Sequence, residues 1–200
     1  MDRQRWGLMA VIAVSALVFG ACSGWNPTAG TPMGAPGIGS ASGGLTCPAG
    51  TVSATLSVGP GQSLAPRPEV VTAFSAYGYF GQLPSGIPNP FNYPVFVAHT
   101  FSSIPGASSI VAAWVTAWVR PIMDNGTDTI SVGHPLVPNS FEQSFPIPNA
   151  VSQPWTTANY PQYVPVAMQL APNVLALIHQ YGYLNVVIYY HAQVQSLALT

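Results

Sequence analysis

The run from Ile110 to Arg120, Ile-Val-Ala-Ala-Trp-Val-Thr-Ala-Trp-Val-Arg, limits what this chain can fold into more than any other stretch. Its β-branched and aromatic residues favour an extended backbone over a helix. In a strand, successive side chains point to opposite faces. Val111, Ala113, Val115, Ala117 and Val119 then share one face, all small and apolar. Ile110, Ala112, Trp114, Thr116, Trp118 and Arg120 share the other, which carries two indoles flanking a hydroxyl and ends in a guanidinium. Neither face is made for water alone. The run therefore reads as a central strand of a two-layer β fold, with the indoles expected to fill the space between the layers.

The flanking sequence extends this reading. Thr51 to Val58 alternates apolar and hydroxyl residues, as a half-buried strand does, and Gly59-Pro60-Gly61 ends it. Val70 to Phe80 is a second apolar stretch, and Leu83 to Pro94 is a proline-broken loop. Val95 to Phe101, Thr129 to Val132 and Val164 to Leu170 read as strands. Gly133 to Gln162 is long and irregular, yet Phe141, Phe145, Trp155 and Tyr160 imply a loop packed on the sheet. Pro172 to Tyr181, with proline at its start and Gly182 just past its end, fits one short helix. Leu184 to Thr200 closes the chain as an alternating strand whose phase slips near Ser196, the mark of a bulge. About seven strands with proline-rich turns predict a mainly β domain over 51–200: a single antiparallel β-sandwich, jelly-roll-like, with one short helix near 172–181.

Composition narrows the function classes. Charged residues make up 4% of the 200 residues, and there is no lysine, against about 25% charged in a typical soluble protein. The arginines are Arg3, Arg5, Arg67 and Arg120; the acids are Asp2, Glu69, Asp124, Asp128 and Glu142. No basic patch exists to neutralise phosphates, so nucleic acid is excluded as a partner. Apolar residues at 48% exclude a disordered chain. So little charge predicts either a fold that barely responds to pH or a surface covered by partners, since near-zero net charge promotes association.

The N-terminus is a targeting segment. Arg3 and Arg5 precede an apolar run from Trp6 to Phe19 that is too short for a bilayer, and the run ends in Phe19-Gly20-Ala21-Cys22. Gly20-Ala21-Cys22 resembles the end of a bacterial lipoprotein precursor leader; Phe19 departs from the usual leucine. The resemblance covers 1–22 only. It implies lipidation of Cys22, an exported protein on the outer membrane or cell surface, and a lipid anchor as the membrane contact. An ordinary secretory cut nearby, giving an extracellular protein, and an uncut signal anchor are the alternatives. Residues 23–50, dense in Gly, Pro, Ser and Thr, read as a flexible tether. Cys47, the remaining cysteine, is then a buried thiol or an intermolecular disulfide.

Catalytic patterns are missing from the sequence. There is no Gly-x-Ser-x-Gly elbow, and the few carboxylates do not pair as a glycosidase needs. His99, His134, His179 and His191 lie far apart, without metal-ligand spacing. Asp124, Asn125 and Asp128 crowd oxygen ligands into one turn, which makes calcium the one cofactor to consider, although any tight turn uses the same residues. Asn125-Gly126-Thr127 also matches a glycosylation sequon. The pattern from Ala107 to Gly133, a strand, a polar Asn/Asp/Thr turn and then Ile-Ser-Val-Gly, resembles accessory β-sandwich modules of secreted bacterial proteins. That resemblance is loose and carries no active site. The expectation is a non-enzymatic surface or extracellular protein with a structural, assembly or interaction role, its partner a second copy or a neighbouring surface protein. The alternative is a carbohydrate-binding module, whose glycan would stack on Trp114, Thr116, Trp118, Arg120 and the nearby Tyr189, assisted by calcium.

Overall fold

The computed structural model of the chain describes residues 20–21, 52–75, 78–79, 81, 83, 95–124, 127–134 and 141–200. The first elements are a short antiparallel pairing of β1 (Gly20–Ala21) with β2 (Val52–Ser53). Then follow β3 (Leu56–Val58), α1 (Pro68–Ala73), β4 (Gly78–Tyr79), β5 (Val95–Phe101), β6 (Trp114–Pro121), β7 (Thr129–Gly133) and β8 (Gln143–Pro146). The chain ends with β9 (Val164–Gln169), α2 (Pro172–Tyr181), β10 (Leu184–Tyr190) and β11 (Ala192–Leu199).

The antiparallel pairing runs from the outside of the sequence inward: β3 with β11, β5 with β10, β6 with β9, and β7 with β8. Two further ladders, β10 with β7 and β11 with β6, gather these pairs into two sheets. Sheet I has the order β4-β5-β10-β7-β8, in which β4 adds a two-residue parallel edge; sheet II has the order β3-β11-β6-β9. The fold is mainly β, and its main core lies between the two sheets. Val97, Ile130, Val132, Val186 and Ile188 face inward from sheet I. Val115, Ala117, Val119, Val194 and Leu197 face them from sheet II.

Each helix covers a different side. In α2, Pro172 opens the first turn and Gly182 closes the last at φ 70°, a left-handed cap that glycine adopts without Cβ strain. Its Val174 and Ile178 are buried in the inter-sheet core. The shorter α1 lies outside, where Val70 and Phe74 cover Phe96, Ala98, Val187 and Tyr189 on the outer face of sheet I. Among the described residues no helix is long and apolar enough to cross a membrane.

The elements depart from the sequence reading in five places, the first being the Ile110–Arg120 strand, which begins only at Trp114 and runs through Pro121, leaving Val111 exposed outside it. The expected Thr51–Val58 strand breaks at Ala54 and Thr55. The apolar stretch after Val70 begins inside α1. The irregular region from Gly133 contains the edge strand β8 and a short 3-10 turn, Ile147–Ala150. The closing strand is two strands, because the chain passes from sheet I to sheet II at His191. The bulge expected near Ser196 is present as a register shift between Val194 and Ser196, which lets Val194 and Leu197 both face the core.

Candidate functional site

β6 is central in sheet II, and its two faces lie opposite to the expected way round. Val115, Ala117 and Val119 are fully buried between the sheets, while Trp114 and Trp118 turn outward and are half-buried. Volume explains the choice. Sheets packed face to face stand about 10 Å apart, a gap that valine and alanine fill but two indoles on one strand would force open. The outer face still shelters small groups: Thr116 is 5% exposed and its cross-strand partner Ala198 is 8% exposed. Among the described residues no helix or strand packs over this face.

Arg120 ends the same face. Its Nε donates to Gln193 Oε1 at 2.5 Å, its Nη1 donates to the Pro161 carbonyl at 3.2 Å, and its guanidinium lies 5.0 Å from the Tyr163 ring. Tyr189 does not join this group. It is on the outer face of sheet I, 8% exposed, with its ring 5.9 Å from Phe74 beneath α1. Four of the five residues expected to form a ligand face are therefore together, and the fifth is on the opposite side of the sandwich.

The two aspartates of the polar turn also part company. Asp128 is fully buried; its Oδ2 accepts from Trp155 Nε1 and its Oδ1 from the His191 backbone N–H, both at 2.6 Å. Burial pushes its carboxyl above the usual range, against the pull of these two hydrogen bonds and the charge of His191. Its backbone carbonyl accepts from Ile147 N at 2.8 Å. Asp128 thus pins the corner where the chain changes sheets to the 3-10 turn and to Trp155. Asp124 is exposed, and its Oδ1 accepts from Thr157 N at 2.6 Å and Thr157 Oγ1 at 3.0 Å. The carboxylates serve different partners and do not converge on a cation. Among the described residues no group of three or more His, Cys, Asp or Glu could hold a metal ion. Asn125, the third calcium candidate, and Cys22, the lipidation candidate, lie outside the described residues.

A second polar cluster went unseen in the sequence because its members are far apart along the chain. The Tyr183 ring is stacked on His134 at 4.4 Å and lies under the Arg67 guanidinium at 4.3 Å. Arg67 also pairs with Glu69 at the start of α1. The Glu142 carboxylate accepts from His134 N at 2.7 Å and occupies the space that a side chain on Gly133 would fill. Beside it, buried Asn185 accepts from Thr100 Oγ1 at 2.7 Å, while its Nδ2 has no partner among the described residues. These contacts fasten α1 to sheet I and tie the end of β7 to the start of β8. None sets a nucleophile beside a base. Comparison with family models, with curated proteins and with solved structures finds no match for this chain.

Proposed function

We propose that this chain is an exported, non-enzymatic β-sandwich that acts by contact, through the outer face of sheet II. The observation that carries the reading is the outward turn of Trp114 and Trp118 on a sheet face that no described helix or strand covers. The outer face of sheet I makes the contrast, since its apolar residues are hidden by α1. Half-buried indoles on a sheet face left bare by the described elements support an interaction site. The leader ending in Gly20-Ala21-Cys22 and the low charge fit an anchored surface protein. The pairing of β3 with the last strand, β11, and so inward to β7 with β8, supports a jelly-roll order. Jelly rolls serve unrelated functions, so the role follows from the face and not from the fold.

The test compares the wild type with Trp114→Ala and Trp118→Ala. Because both indoles are half-buried, each substitution is expected to cost about 1 kcal/mol or less, the ordinary range away from a packed core, while association with a second copy or a neighbouring surface protein is lost. A loss of about 3–5 kcal/mol, the cost of truncating a core aromatic, with association intact would overturn the reading.

A further inference from the structure

We infer that the partner on the outer face of sheet II is a second copy of this chain, with Arg120 of each copy paired to Asp124 of the other. The inference rests on the contact reading above and names the occupant of that face. Two opposite charges select the occupant, because the fold leaves both without a counter-charge at one corner of the sandwich.

The first is Arg120. Its hydrogen bonds go to the Gln193 side-chain oxygen and the Pro161 carbonyl, and its guanidinium lies over the Tyr163 ring, all neutral groups. Its Nη2 donors meet no acceptor among the described residues. The other described arginine, Arg67, pairs with Glu69. Arg120 is thus the described arginine without a carboxylate. Three contacts already hold its planar fork, so little side-chain freedom is lost when a carboxylate arrives.

The second is Asp124, which is exposed and follows shortly after Arg120 in the chain. Its Oδ1 accepts from the Thr157 amide and hydroxyl, again neutral donors, and its Oδ2 accepts from no described residue. Arg120 and Asp124 grip the same loop, at Pro161 and at Thr157. Among the described residues, however, the ion pair is Arg67 with Glu69, not Arg120 with Asp124. The remaining described carboxylates are turned inward: Asp128 to Trp155 and the His191 amide, Glu142 over Gly133.

A cation and an anion left over at one corner are self-complementary under a twofold axis. Such an axis sets residue i against j and j against i, so an axis passing between Arg120 and Asp124 forms both pairs at once. Arg120 ends the outward row of Trp114, Thr116 and Trp118 on β6. The pairs therefore stand at the end of the bare face and fix the register in which two such faces meet. Exposed ion pairs add little affinity; the indoles supply contact area, and the charges choose the partner and its orientation. A net charge of −1 sets little repulsion between copies.

Sedimentation equilibrium of the full chain at rising concentration is expected to show a dimer. Arg120→Glu and Asp124→Arg each put like charges opposite one another at both contacts, and each is expected to weaken the dimer about tenfold or more. An equimolar mixture of these two variants sets the introduced glutamate against the introduced arginine and Asp124 against Arg120. It is expected to dimerise about as tightly as the wild type, a recovery that a role in folding alone would not give. Should a reversed variant fail to fold, Arg120→Gln and Asp124→Asn take its place, each expected to weaken the dimer severalfold, with Arg120→Lys near the wild type. A chain that stays monomeric at every concentration, charge variants without effect, or a mixture no tighter than its components overturns the inference. Trp114→Ala and Trp118→Ala in the same measurement separate the two levels. If association falls with the indoles but ignores the charges, the pairing fails and the contact face stands; if it follows the charges but ignores the indoles, the contact face fails and the pairing is left.

Discussion

At the scale of single residues, Asp128 is the polar group on which most depends. It sits where the chain leaves sheet I, and it accepts the Trp155 indole N–H and the His191 amide with separate oxygens. Removing it strands two donors in the interior, and each buried donor left without a partner costs about 1–3 kcal/mol. Asp128→Ala is therefore expected to destabilise by about 3 kcal/mol, read by chemical unfolding. Asp124→Ala gives up contacts to Thr157 at an exposed position and should cost clearly less. Equal losses would refute the division of roles between the two aspartates. The turn chemistry of 124–128 was plain in the sequence, but its meaning was not. Spacing alone cannot tell a carboxylate aimed at a cation from one aimed at an indole 27 positions away.

At the scale of elements, what could be read was what local pattern determines. β6, α2 with its proline start and glycine end, and the bulge before Leu197 follow from periodicity and capping. α1 was hidden because Val70, Val71 and Thr72 are β-branched and poor helix formers; so short a helix stands on the burial of Val70 and Phe74 and not on propensity. β8 was hidden because an edge strand reading Gln-Ser-Phe-Pro has no apolar alternation to detect. In β6 the alternation gave two faces but not their direction, since both are apolar. The direction rests on packing volume, and that is testable. Ala117 is fully buried between Val115 and Val119 on the inner face. Ala117→Leu is expected to overpack the gap between the sheets and cost about 1–3 kcal/mol. A neutral result would mean that the inner face has room to spare, and the reason given for the outward indoles would fail with it.

At the scale of the whole molecule, scarcity of charge does not make stability independent of pH; it concentrates the dependence in a few groups. His99, in β5 beside Phe101 at 4.8 Å, accepts a hydrogen bond from Ala65 N at 3.3 Å. Burial pushes its pKa down to about 4 from the ordinary 6.5. The folded state therefore keeps this imidazole neutral where the unfolded chain already binds a proton. The stabilisation it supplies is complete above about pH 6.5 and is lost as pH falls toward about 4. Asp128 acts in the opposite sense. Its carboxyl is raised by burial, so its contribution is complete below the usual carboxylate pKa of 3.8 and is lost as pH climbs through the raised value. Because the two groups oppose each other, the net slope of the wild type does not isolate either one. Comparison with His99→Gln does, since that substitution removes one titration and leaves Asp128 in place. Unfolding free energies measured from pH 4 to pH 7.5 should show the gap between wild type and variant widening as pH rises through that window, whatever the variant loses overall. Parallel curves would mean that His99 takes up its proton in the folded protein as readily as in the unfolded chain, and that the inner face of β5 is open to water.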